Sequence, residues 1–194
     1  MRHRWPCRPQ SRVSRDRVPD DDEVSRAVFD TELSALYREI YLHLARYLAS
    51  CESDQTLVEE VITDAFLVTW RDWHAVRGYD KPDAYVFKVA TTLWRSRRER
   101  RETQRRQLTA DVPDQIGAPD PAQTVTADTH LHDLLSTLSE RQRQVLLLEY
   151  VYGFEISAIA VILRVSEGTV KRCGHDGRAR LAALLRRQKG GEDV

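Results

Sequence analysis

The chain is poor in the residues that build cross-linked, fibrous or membrane-spanning proteins. Its 194 residues include three cysteines, Cys7, Cys51 and Cys173. Their odd number and wide spacing give neither a disulfide framework nor a Cys-x-x-Cys metal knuckle, so reduced thiols are expected. Eight glycines and seven prolines are too few for a fibrous or low-complexity chain. The longest apolar stretches, residues 145–148 and 158–163, fall far below the roughly 20 residues that span a bilayer, so no membrane insertion is expected. Residues 1–9 carry arginines without an apolar run behind them and do not make a secretory signal, which points to the cytoplasm. A Gly-rich phosphate loop, a His-Glu-x-x-His pair and a nucleophile elbow are all missing, so no catalytic residue, cofactor or metal ligand is assigned. A net charge of one sign is missing too: 30 Lys and Arg offset 30 Asp and Glu, which taken globally argues against a uniformly basic nucleic-acid binder.

What is present is a hydrophobic fraction of 41 % with 31 % charged residues, the balance of a soluble, helix-rich, packed protein. The zero charge is a sum of blocks. Residues 1–18 hold six arginines and one aspartate, whereas residues 19–35 hold six acids and one arginine. Residues 95–106 hold Arg95, Arg97, Arg98, Arg100, Arg101, Arg105 and Arg106 against Glu99 and Glu102, and residues 108–136 hold five aspartates and no base. Residues 166–194 have seven bases against four acids. Solvated helix faces are the usual explanation of a charge run, but seven arginines in twelve residues repel one another unless an anion lies alongside.

The first 28 residues lack periodicity and predict a disordered tail. Phe29, Leu33, Leu36, Tyr37, Ile40, Tyr41, Leu44 and Leu48 then recur at helical steps. A second stripe comprises Leu57, Val58, Val61, Ile62, Ala65, Phe66, Thr69 and Trp70. Asp80 as N-cap and Pro82 in the first turn predict a third helix with Ala84, Tyr85, Val89 and Leu93 inward. Residues 108–127, with three prolines and one glycine, predict a linker. Beyond it come Leu131, Leu134, Leu135 and Leu138, then a Ser139/Gln142 capping box that opens a helix carrying Val145, Leu146, Leu148 and Val151 and ended by Gly153.

Ile156, Ile159, Ala160 and Leu163 predict a short helix, Arg164 and Val165 a tight turn, and Ser166 the N-cap of a last helix to about Leu185. This is the spacing of a helix-turn-helix, whose second helix enters the major groove; a plain helical hairpin in a bundle is the competing explanation. The stretch Ile156-Ser-Ala-Ile-Ala-Val-Ile-Leu-Arg-Val-Ser-Glu-Gly-Thr-Val-Lys171, preceded by Leu138-Ser-Glu-Arg-Gln-Arg-Gln-Val145, resembles region 4 of the sigma-70 family, in its small extracytoplasmic-function class. Val58-Glu-Glu-Val-Ile-Thr-Asp-Ala-Phe-Leu-Val-Thr-Trp70, Pro82-Asp-Ala-Tyr-Val-Phe-Lys-Val-Ala90 and the arginine run after it resemble region 2 of that class. The likeness covers about residues 29–106 and 130–187.

The resemblance implies a promoter-recognition subunit of bacterial RNA polymerase, not an enzyme. It implies an all-α chain of two small helical domains, a region 2 bundle (29–107) and a region 4 helix-turn-helix (129–188). A flexible acidic linker (108–128) joins them, with tails at 1–28 and 189–194. The implied partners are the polymerase core, through its beta-prime clamp and beta flap, promoter DNA, and an anti-sigma factor. Glu59, Glu60, Thr63 and Asp64 would bind the core, with Phe66 as an apolar anchor or ordinary core, while Trp70 belongs by its stripe to the protein interior. Trp73, Tyr79 and Tyr85 offer stacking faces to a melted minus-10 strand, beside Lys88, Thr92, Arg95, Arg97 and Arg98; buried packing competes for each aromatic. Ser166, Glu167, Thr169, Lys171, Arg172 and His175 would meet the minus-35 duplex, with Arg178 and Arg180 near phosphates. The linker's negative charge suits either a nucleic-acid mimic or a solubilising spacer.

The chain departs from the family pattern at Thr92, where Asn is usual, and at Ser96, where Asp is frequent. In the last helix the common Ser-Arg-Leu-His-Arg-Ala becomes Arg172-Cys-Gly-His-Asp-Gly177. Each glycine costs a helix interior about 1 kcal/mol, which predicts a weaker minus-35 grip or a helix that loosens near Gly174. A helix-turn-helix regulator that is not a sigma subunit is the alternative function. A two-component regulator would need an N-terminal domain of alternating strands and helices, which residues 29–106 do not predict.

Overall fold

The computed structural model describes the backbone at residues 22–109 and 135–189, and side chains at 31–107 and 135–186. Every regular element in these segments is helical: α1 (Asp22–Ala49), α2 (Gln55–Arg71), a one-turn α3 (Trp73–Val76), α4 (Pro82–Thr109), α5 (Glu140–Leu146) continuing into a π-helical turn (Leu147–Val151), α6 (Ile156–Leu163) and α7 (Glu167–Lys189). None of these helices is long and apolar enough to cross a membrane. Residues 22–28, expected as tail, are the first turns of α1. Leu108 and Thr109, expected as linker, are the last residues of α4, and Lys189, expected as tail, is the last of α7. The other residues of the expected tails and linker, with Leu131 and Leu134, lie outside the described residues.

The second stripe buries as its spacing predicts from Leu57 to Thr69. Asp54 caps the helix, its carboxylate accepting from the Leu57 N–H at 3.1 Å. Trp70 departs from the expectation and is 51 % exposed. At 3.6 residues per turn it lies roughly 40° further round than Phe66, which already sits at the edge of the buried arc. Helix α4 opens directly on Pro82, so Asp80 stands one residue outside the N-cap position. Its deepest side chains are Val86, Phe87, Ala90, Thr91 and Trp94, whereas Tyr85, Val89 and Leu93 are only partly covered.

The reason for that rotation is that α4 packs on two sides, against α2 and against α6. One buried cluster runs from Leu44, Tyr47 and Trp94 of the first half into Val145, Leu148, Ile159 and Leu163 of the second. Aromatic contacts join the halves: Phe87 lies 5.2 Å from Phe154 and 5.3 Å from Tyr152 between ring centroids. The capping box is present, with Ser139 Oγ accepting from the Gln142 N–H and Gln142 Oε1 from the Ser139 N–H. Gly153 ends the following turn at φ 68°, a left-handed conformation that glycine takes without strain.

Candidate functional site

Three surfaces follow from this packing. On α2, the turns facing away from the core carry Glu59, Thr63, Leu67 and Trp70, with Phe66 at their edge. Phe66 meets Tyr37 of α1 edge-on at 4.7 Å, and the two line a shallow groove of about 330 Å³ with Leu33, Ser34 and Arg38. Leu67, Trp70 and Tyr37 are exposed apolar side chains, a cluster of the kind that marks a partner site. Glu60 and Asp64 stand apart from Glu59. Both reach Arg97 of α4, Asp64 by a hydrogen bond and Glu60 at 3.6 Å, so they clamp α2 to α4.

The expected minus-10 residues do not share one surface. Trp73 is buried, 5 % exposed, and unavailable for stacking as it stands. Tyr79 and Tyr85 pack edge-on at 5.8 Å, and the Tyr85 hydroxyl donates to Asp72 Oδ2 at 2.8 Å. Burial, then this bond, raises the Tyr85 pKa, while the Arg71 hydrogen bond leads in holding that of Asp72 below the usual carboxylate range. Lys88 and Thr92 continue the Tyr85 stripe at i+3 and i+7, the Thr92 hydroxyl donating to the Lys88 carbonyl at 2.8 Å. Arg97 turns to α2. Arg95 and Arg98 turn to the second half of the chain.

Arg95 sits at the junction of the halves. Its Nη1 donates to the Leu163 carbonyl at 2.8 Å and its Nη2 to Gln144 Oε1 at 3.1 Å. Arg141 donates to the same carbonyl at 3.2 Å. Two cations thus meet the C-terminal end of α6, where the helix dipole favours them. Burial, then the neighbouring Arg141, pulls the Arg95 pKa below its ordinary value. Buried Gln144 also donates to Cys51 Sγ at 3.7 Å, and burial pushes the Cys51 thiol pKa up. Arg98 binds Glu140, and Arg101 binds Asp54. The anions that the arginine run requires are therefore, at Arg97, Arg98 and Arg101, carboxylates of the chain itself.

The third surface is α7. Helices α6 and α7 meet through residues 164–166, with Arg164 left-handed at φ 54° and Ser166 Oγ accepting from the Thr169 N–H at 3.2 Å. The buried arc is Val170, Gly174 and Gly177, and the outward arc is Gly168, Thr169, Arg172, His175, Asp176 and Ala179. Glu167, Lys171 and Arg180 flank it and are exposed. Arg178 turns back, donating to Glu149 Oε2 at 3.3 Å and the Tyr150 hydroxyl at 3.1 Å. The helix does not loosen at Gly174. A Cβ there would come within 3.5 Å of Val145 Cγ1, and one at Gly177 within 3.0 Å of Leu146 Cδ1. Gly177 lets α7 lie close on α5, whereas the Val145 distance at Gly174 is an ordinary van der Waals contact. Leu67, Trp70, Tyr37 and Asp176 were missed as site residues; the outward-facing position of each on its helix is the signal that finds them.

The pattern of the family "Sigma-70, region 4" matches residues 129–181. The ECF RNA polymerase sigma factor SigL of Mycobacterium tuberculosis is 29 % identical over 145 residues, covering 72 % of this chain and 80 % of that one. SigX of Bacillus subtilis, also an ECF sigma factor, is 22 % identical over 152 residues, covering 73 % and 77 %. Among solved structures, the sigma factor RpoE of Bartonella quintana, in complex with the anti-sigma factor NepR, superposes with a TM-score of 0.61 at 24 % identity, over 81 % of this chain and 96 % of that one. CnrH, in complex with the cytosolic domain of CnrY, gives 0.52 at 23 %, over 86 % and 98 %. Residues 129–181 match sigma-70 region 4, and across about three quarters of its length the chain is similar to sigma factors of the extracytoplasmic-function class.

Proposed function

We propose that the chain acts as a non-enzymatic initiation subunit of bacterial RNA polymerase, docking on the core enzyme through the outward face of α2 and reading promoter DNA with its two halves. Glu59, Thr63 and Phe66, with Leu67 and Trp70, form the docking face; Glu60 and Asp64 support it through Arg97. Tyr79, Tyr85, Lys88 and Thr92 take the melted minus-10 strand. Thr169, Lys171, Arg172 and His175 face the minus-35 duplex, and Arg180 lies by phosphate. The observation that carries this reading is the second helix of the helix-turn-helix, capped by Ser166, with Lys171, Arg172 and Arg180 exposed and, among the described residues, free of ion pairs. Cations without carboxylate partners on such a helix suit a polyanion.

The test is reconstitution with bacterial core polymerase, reading co-elution and run-off transcription. The native chain should co-elute and initiate. Trp70→Glu combined with Glu59→Lys should abolish co-elution while helical content stays constant. An unchanged core affinity would refute the docking face. RpoE and CnrH were each solved with a partner protein, and we propose that an anti-sigma factor likewise binds this chain, covering the same α2 face.

A further inference from the structure

The recognition helix carries a carboxylate where a DNA-binding surface is expected to be neutral or basic. Among the described residues of the outward arc of α7, Asp176 is the one acid. Its side chain is 52 % exposed. From Thr169 to Asp176 the helix advances about 10 Å, which fits within the ~12 Å width of the major groove. Gly168, Ala179 and Ala183 lie on the same exposed arc. They present no bulk, so the helix can sit deep enough for a short side chain to reach base edges.

Arg172 and Arg180 stand one turn to either side of Asp176, the spacing of a solvated i, i+4 ion pair. Neither forms one among the described residues. The polar contact of Asp176 is instead with His175 Nδ1, at 3.3 Å, on the same arc. The carboxylate is therefore held beside two outward cations without being consumed by them.

An ionised carboxylate accepts hydrogen bonds and donates none. In the major groove it is repelled by phosphates and by the N7 and O6 acceptors of guanine, and it is matched by the N4 amino group of cytosine. Adenine offers an N6 donor but places the N7 acceptor next to it, where an amide fits and a carboxylate does not. We propose that Asp176 is a specificity-determining residue, accepting a hydrogen bond from a cytosine N4 in the minus-35 duplex and excluding guanine at that position. The inference rests on the reading of α7 as the minus-35 reader. Arg172 and Lys171 hold the helix on the DNA, and Asp176 penalises wrong sequences more than it strengthens the right one.

The experiment uses the full chain assembled with bacterial core polymerase. It transcribes a promoter library with a fixed minus-10 element and a randomised minus-35 element, and the transcribed templates are sequenced. The native chain should enrich cytosine over guanine roughly tenfold at one position. Asp176→Ala should flatten that position alone and raise transcription from guanine templates. Asp176→Asn should move the preference there to adenine. A native profile lacking a cytosine position, an alanine profile identical to the native one, or a uniform loss at every position would overturn the inference while leaving the sigma reading intact. A native chain that transcribes no template of the library would overturn the sigma reading, and the inference with it. Far-UV circular dichroism of both variants checks that α7 is intact.

Discussion

The arginines of α4 and the basic residues of α7 look alike as sequence blocks, yet they live in different electrostatic surroundings. Arg97, Arg98 and Arg101 each find a carboxylate of the same chain, and Arg95 finds a helix end. Lys171, Arg172 and Arg180 find none among the described residues. A basic block is thus evidence for a nucleic-acid surface only after internal partners have been subtracted. On α4 that subtraction leaves exposed Arg100 and the stripe of Tyr85, Lys88 and Thr92, and on α7 it leaves the outward arc.

The contrast can be broken most severely at Arg95. Replacing it by alanine leaves Gln144 buried with an unmatched amide oxygen and removes one of two donors to Leu163. With charged hydrogen bonds contributing about 1.5–3 kcal/mol each and Arg95 half covered, the loss should be about 2–4 kcal/mol, read from urea unfolding. Cys51 should then be alkylated faster than in the native protein, because the cover that Gln144 and the second half give it would loosen. Unchanged stability and alkylation would mean that the halves do not hold each other. Asp54→Ala comes next, removing the α2 cap at a cost of about 1 kcal/mol. The Leu57 N–H and then Arg101 hold the Asp54 pKa below its usual value. The contribution is therefore full above the ordinary carboxylate pKa of about 3.9 and fades as pH falls towards the folded-state value. Native and variant stabilities should converge in acid; a gap that persists there would assign the effect to something other than the carboxylate.

Arg98 and Glu140 form an exposed pair across the halves. A double-mutant cycle should give a coupling under about 1 kcal/mol that shrinks in high salt. The smallest stability effect is expected on α7, where Lys171→Ala and Arg172→Ala should each stay within about 0.5 kcal/mol of native. Those two should instead lower the salt slope of promoter affinity by about one unit per lost phosphate contact. A stability loss without a slope change would show that α7 resembles α4 after all.

Local signals were legible. The Ser139/Gln142 box, the α2 stripe from Leu57 to Thr69 and the turn at 164–166 stand where spacing and capping chemistry put them, because each is decided within a few residues. What was not legible depends on contacts between distant segments. Tyr47, Thr91 and Gln144 are buried because α4 has a second partner in α6, and no periodicity within α4 announces it. The same contact rotates the buried arc of α4 away from Tyr85 and Leu93. For Trp73 the sequence leaves a stacking face and buried packing both open, because an aromatic in a loop has no periodicity to decide between them; the short helix α3 buries it. Gly174 and Gly177 read as weaknesses in isolation; both are buried against α5, and Gly177 becomes a close-packing position once Leu146 lies against it.

The bond from Arg95 to the Leu163 carbonyl also sets a scale of length. Elements named minus-10 and minus-35 are about 25 base pairs apart, roughly 85 Å of duplex at 3.4 Å per pair. A chain whose first half binds its own helix-turn-helix at 2.8 Å, where the first helix of the motif ends, cannot straddle that distance. Both elements can be occupied together only after the junction opens. If opening costs the about 2–4 kcal/mol assigned to Arg95, the span-competent form is a minority by roughly thirty- to nine-hundredfold, and two-element promoter affinity of the free protein falls by the same factor. Binding to the core enzyme has that much work to do before the DNA is read.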